Sequence, residues 1–155
     1  MKEKCRCEHE GGDRSRGEYY GDTARVFDGG NVLITESTYY KEQQLPRHAH
    51  ELAFFCLCLD GAYDETYVYR SNSFEPFSLV YHPPAENHAC SMCSADVRVL
   101  NIEVTKGCLD QFSSYARLPD NYVDDGRGEL VWLAGRVLAE FRAADACSPA
   151  AVEGL

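Results

Sequence analysis

From Glu18 to Asn101 the chain alternates short apolar runs with turn residues, and no helical period appears between them. ARVFDGGNVLITESTYY holds two such runs around Asp28-Gly29-Gly30-Asn31, a hairpin signature. ELAFFCLCL stops at Asp60-Gly61, and AYDETYVYR follows and stops at Ser71-Asn72-Ser73. FSLVYH stops at Pro83-Pro84, and VRVLNIEV closes the series. Strands at this spacing, joined by turns alone, predict an antiparallel sandwich or barrel.

Beyond Thr105 the period becomes helical. KGCLDQFSSYARL fits one amphipathic helix before Pro119. In GELVWLAGRVLAEFRAA, Leu130, Leu133, Ala134, Val137, Leu138 and Phe141 fall at i, i+3, i+4, i+7, i+8 and i+11. That apolar face must bury against the barrel or against another subunit. Ser148 as N-cap with Pro149 behind it marks a further helix start. A helix beginning so close to Leu155 holds poorly alone, so residue 155 is expected to fall inside a longer natural chain. The division that follows is a flexible arm over 1–17, a β-barrel over 18–105 and a helical dimerisation or connector region over 106–155.

Composition narrows the class. With 45% apolar and 26% charged residues in 155, this is a soluble globular domain long enough for one core. A net charge of -10 repels phosphate backbones, which argues against direct nucleic-acid binding by this chain. No stretch approaches the ~18 consecutive apolar residues of a membrane span. The N-terminus has no apolar run that could serve as a signal peptide. The expected compartment is the cytoplasm, where the eight cysteines are thiols or metal ligands rather than a disulfide framework.

The candidate chemistry starts at PRHAHE. Residues two apart on a strand share a face, so His48 and His50 project together. Leu52, Phe54 and Cys56 join them if the strand runs without a bulge. His88 follows the Pro83-Pro84 turn on a later strand that can lie alongside. Three imidazoles converging in a barrel mouth suit zinc, iron, manganese, nickel or copper. Cys56 is a candidate thiolate for the same ion. The parity of the later strand leaves either Tyr81 or His82 facing inward. The other cysteines fall as Cys5-x-Cys7 near His9, Cys56-x-Cys58, and Cys90-x-x-Cys93. Scattered thiols are the default reading, with a structural zinc site as the alternative.

HAHELAFFCLCLDG resembles the first cupin motif, with His48 and His50 at its histidine positions and Gly61 at its glycine. Phe54 stands at the acid position. FSLVYHPPAENH resembles the second motif through Pro83 and His88, with Phe77 and Ala85 where glycines are usual. The resemblance implies a double-stranded β-helix, or jelly-roll, barrel followed by C-terminal α-helices, with three of four usual ligands. Over residues 18 to 155 the order of elements is similar to the N-terminal sensor domain of the AraC/XylS family of bacterial transcription regulators. It rests on PRHAHELAFFCLCLDGAY, LVYHPPAENH, LNIEV and LVWLAGRVLAEFRAADACSPAAVEGL.

That resemblance implies a non-enzymatic domain that binds a small-molecule effector, or one divalent transition metal (Zn, Fe, Ni or Mn), in its barrel. It also implies a homodimer through the C-terminal helices, with DNA bound only by a further C-terminal domain. The expected ligand-binding lining is His48, His50, Leu52, Phe54, Cys56, Tyr81 and His88. The expected metal donors are His48, His50, His88 and Cys56. Two other readings remain open: a stand-alone three-histidine cupin dioxygenase, and a storage or scaffold barrel with nothing bound.

Overall fold

The computed structural model describes residues 11–93, 95–113 and 128–154, together with the backbone of 122–124. The apolar runs are strands: β1 (Asp22–Asp28), β2 (Val32–Tyr39), β3 (Gln44–His48), β4 (Ala53–Asp60), β5 (Tyr63–Thr66), β6 (Ser71–Phe74), β7 (Leu79–His82), β8 (His88–Met92) and β9 (Val97–Val104). After them come α1 (Lys106–Phe112), β10 (Tyr122–Asp124), α2 (Glu129–Ala143) and α3 (Ser148–Gly154).

The pairing is antiparallel and nested: β2 with β9, β3 with β8, β4 with β7, β5 with β6. It is one long hairpin with its tip between β5 and β6, wound so that successive pairs fall in alternate sheets. The sheet orders are β1-β2-β9-β4-β7-β10 and β3-β8-β5-β6. Eight strands wound this way form the double-stranded β-helix of a cupin-type jelly roll, with helices following it as expected.

The alternation in AFFCLCLD decides what each face of the larger sheet carries. Phe54, Cys56 and Cys58 of β4 point into the barrel, where they meet Tyr39, Tyr63 and Val99. Phe55, Leu57 and Leu59 point outward beside Ile34, Leu79 and Leu100. On this outer face α2 lays its apolar stripe: Ala134 and Phe141 are buried, and Leu130, Val137 and Leu138 are half-buried. Val152 of α3 joins them. The stripe therefore covers its own barrel rather than a second subunit. Trp132, on the opposite side of α2, is 63% exposed.

Three details differ from the sequence reading. The helix expected over 106–118 is described as α1 as far as Phe112, capped by the Thr105 hydroxyl accepting from the Cys108 amide and closed by Ser113; residues 114–118 lie outside the described residues. At α3 the capping oxygen comes from Asp145, which accepts from the Cys147 and Ser148 amides, rather than from Ser148. These hydrogen bonds hold the Asp145 carboxyl below its ordinary range. Finally, the part of the flexible arm that is described is tied down. The Gly11 amide donates to Arg47 O (3.0 Å), the Arg14 amide to Ala49 O (2.8 Å), and the Gly17 amide to the Glu103 carboxylate (3.0 Å to each oxygen).

Gly61 closes the β4–β5 turn with φ +77, and a Cβ there would sit 2.3 Å from Asp96 O and 3.0 Å from Val97 Cα. Both obstacles are backbone. Gly61→Ala should cost more than the about 1–2 kcal/mol of a left-handed non-glycine residue alone, read as a lowered urea midpoint. A midpoint equal to the parent's would contradict the turn as described.

Candidate metal centre

His48 ends β3 and His88 begins β8, and the two are direct cross-strand partners. His50 lies just past the end of β3, where the chain crosses toward the larger sheet. It is pinned there by the arm, because the Glu51 amide donates to Arg14 O at 2.9 Å. The three rings are buried, with centroids 4.4 Å (His48–His88), 5.1 Å (His48–His50) and 5.6 Å (His50–His88) apart. One donor nitrogen from each lies within 4.8 Å of the other two.

Local hydrogen bonds set the tautomers. The Nδ1 of His48 faces Pro46 O at 2.7 Å and that of His88 faces Glu86 O at 3.1 Å. A carbonyl only accepts, so each Nδ1 carries the proton and each Nε2 presents a lone pair. Burial, then the neighbouring positive charges, pulls His50 down to about 3 and lowers His88 further. Burial lowers His48 as well. Neutral, oriented imidazoles with free lone pairs are the form that ligates a metal. The Nδ1 of His50 is buried with no hydrogen-bond partner among the described residues. The donor set thus fits a divalent transition ion.

Aromatic rings close the site. Tyr19 lies 5.1 Å from His50, Tyr20 meets His48 edge-on at 4.9 Å, and the Arg14 guanidinium rests 3.8 Å over Tyr20. Below the histidines a cavity of about 40 Å³ runs past Phe54, Cys56 and Tyr63 to Asn101. That is room for a few water-sized groups, well below the volume of a drug-sized ligand pocket.

Several expected lining residues are placed differently. Leu52 sits in the bend between β3 and β4, where the crossing breaks the strand parity, and it does not line the cavity. Tyr81 faces outward and packs on Phe55 with centroids 5.0 Å apart, so the inward residue of β7 is His82. Cys56 does line the cavity, but its thiol faces the Tyr63 hydroxyl at 3.5 Å and stands outside the donor group of the three histidines. Burial pushes that thiol up. Phe54, at the acid position, stacks on His82 with centroids 4.3 Å apart and 13° between planes. Cys5, Cys7 and His9 lie outside the described residues.

Sequence reasoning missed Glu65. This carboxylate is 1% exposed. Its Oε2 accepts from the Tyr67 hydroxyl at 2.7 Å, and its Oε1 stands 3.5 Å from His88 Nε2 and 3.6 Å from His82 Nε2. Burial raises its pKa against the pull of His82. An acid is therefore present beside the histidines, supplied by the smaller sheet rather than by β4. The signal was Tyr63-x-Glu65-x-Tyr67, an acid at the inward parity between two aromatics. Behind it, Arg70 stacks 3.6 Å over Tyr67 and pairs with Glu86 at 2.9 Å.

No protein-family profile matches the chain, and no curated protein does. Solved structures do resemble it. A cupin superfamily protein from Desulfitobacterium hafniense aligns at 14% identity over 54% of this chain and 76% of its own, with a TM-score of 0.49. A cupin 2 conserved barrel domain protein from Salinispora arenicola aligns at 11% over 62% and 83%, also at 0.49. Oxalate decarboxylase from Bacillus subtilis aligns at 15% over 48% and 21%, at 0.45. Among the described residues no helix is long and apolar enough to cross a membrane.

Proposed function

We propose that this chain is the effector-sensing and dimerisation domain of an AraC-type transcription regulator. It holds one divalent transition metal on His48, His50 and His88, and its effector binds at that ion. The observation that carries this reading is the double use of one sheet. Strands β2, β4, β7 and β9 wall the cavity with one face and seat α2 with the other. A ligand that moves Phe54 or Cys56 inside therefore shifts Phe55 and Leu57 beneath the helix. Coupling of this kind needs the ligand to favour one arrangement of the sheet and helix over another.

When bound, the ion would supply a Lewis-acid centre for an oxygen or nitrogen of the effector to complete. The chain's own residues do the rest. Pro46 and Glu86 carbonyls hold the rings in place, and Tyr19 and Tyr20 cover them from water. The Glu65 carboxyl beside His88 supports a second reading, a three-histidine metalloenzyme with an acid–base group at hand.

Trp132 is the chain's sole tryptophan, so its emission reports α2 and the face that α2 presents outward. Adding zinc(II), which is diamagnetic, should change Trp132 emission in the parent protein and leave the His48→Ala/His88→Ala variant unchanged. Emission indifferent to bound zinc would remove the sensor reading and favour the enzyme.

With the apolar stripe of α2 on the barrel, a homodimer through the C-terminal helices would use the outer face of α2, where Trp132, Ala139 and Ala143 are exposed. Trp132→Glu should convert a sedimenting dimer to monomer. A monomeric parent at high micromolar concentration would contradict the dimer.

A further inference from the structure

We infer that the barrel holds a second metal seat, made of Glu65, His88 and Cys90, that competes with the three-histidine seat for the same imidazole. It rests on the reading above only through His88, which both seats share.

The register of the smaller sheet builds this seat. On β8, His88 and Cys90 are two apart and share a face. β8 lies between β3 and β5. On one side His48 of β3 is opposite His88; on the other, Glu65 of β5 is opposite Cys90. His88 therefore has two imidazoles, His48 and His50, to one side, and a carboxylate and a thiol to the other.

The Glu65–His88 separation is that of two ligands on one ion, and the Cys90 thiol already donates to the same carboxylate oxygen. Glu65 Oε1 stands 3.5 Å from His88 Nε2 and 3.8 Å from Cys90 Sγ, and the three donor atoms all lie within 4.8 Å of one another. Two ligands at about 2.0–2.3 Å from one tetrahedral ion are about 3.3–3.6 Å apart. The carboxylate is 1% exposed, and its Oε1 stands too far from both imidazoles for strong hydrogen bonds and accepts from the Cys90 thiol, a contact that a bound ion would replace. Three protein donors leave a fourth position for water or a ligand atom, the pattern of an open zinc site.

A neutral Nε2 has one lone pair, so His88 serves one ion at a time. The nitrogen seat suits iron, nickel or manganese. The seat with sulfur suits a thiophilic ion such as zinc. Binding there displaces the Cys90 proton to solvent. The choice between seats sorts metals by softness within a single cavity.

Cobalt(II) added to the full chain tests this, because a bound thiolate gives a near-ultraviolet charge-transfer band that imidazole and carboxylate do not. The parent protein should show the band, Cys90→Ser should lose it, and Cys93→Ser and Cys56→Ser should keep it. His48→Ala/His50→Ala should also keep it, and zinc should abolish it by displacing cobalt. A parent that binds cobalt without the band, or a band that survives in Cys90→Ser, overturns the second seat. If the parent lacks the band and the His48→Ala/His50→Ala variant loses cobalt altogether, the three-histidine seat stands alone. No cobalt binding in the parent removes both.

Discussion

Replacing His48 and His88 together by alanine should leave the purified barrel without bound metal while it stays folded. The two rings face each other across β3 and β8, so both truncations open the same place. Loss of even an outer-shell partner typically costs roughly 10–100-fold in metal affinity. Removing two of three direct ligands should therefore take affinity below what survives purification, and the remaining His50 cannot hold an ion alone. The variant also strips the shared ring from the Glu65–Cys90 side. The structural cost is bounded. Two backbone carbonyls, Pro46 O and Glu86 O, lose their imidazole donors, at about 1–3 kcal/mol each if water does not replace them. Far-ultraviolet circular dichroism should show the same strand content. Metal content equal to the parent's by elemental analysis would place the ion elsewhere.

Leu57→Ala should be among the most destabilising single changes in the larger sheet. Leu57 is 1% exposed, sits in the middle of β4, and pairs with Leu79 of β7 and Leu100 of β9. All three leucines lie in the layer that receives Ala134 and Phe141 of α2. A buried leucine truncated to alanine loses about 2–5 kcal/mol, more where the surroundings cannot collapse. Here they are held by two strand partners and a helix, so the upper part of that range is expected, read by urea denaturation. Cys56→Ala, one residue away on the cavity face, removes a single sulfur and should cost much less. Leu57→Ala should also alter Trp132 emission, since the floor under α2 has changed. A cost below about 1 kcal/mol would mean that α2 does not sit on this layer.

The sequence revealed most where a local rule has a direct structural consequence. The period of two in AFFCLCL and the helical stripe from Leu130 to Phe141 are local properties, and both fold as read. Phe77 and Ala85, noted as standing where the second cupin motif has glycines, adopt φ 71 and 62. These are the left-handed conformations that glycine takes without strain, so the fold keeps the turns even though their usual residue is gone. Gly61 keeps both the residue and the conformation, at φ 77.

What escaped was set by tertiary placement. Parity carried from His48 through to Cys56 assumes one continuous strand. The chain instead leaves the smaller sheet after His48 and joins the larger at Ala53, which strands Leu52 in the bend. The choice between Tyr81 and His82 depended on which sheet face is interior, and no single strand specifies that. Glu65 stands fifteen residues beyond His50 on another strand, and only the β5–β8 register brings it to His88. Asp145 displaced Ser148 as the cap of α3 because it accepts from two amides at once.

Metal binding here requires three rings from two segments to meet around one ion. The direct measurement is an anomalous-difference map from crystals grown with nickel(II). One peak is expected inside the barrel, within about 2.1 Å of a nitrogen from each of His48, His50 and His88. No peak among those rings, with nickel found only on the surface or not at all, would contradict it.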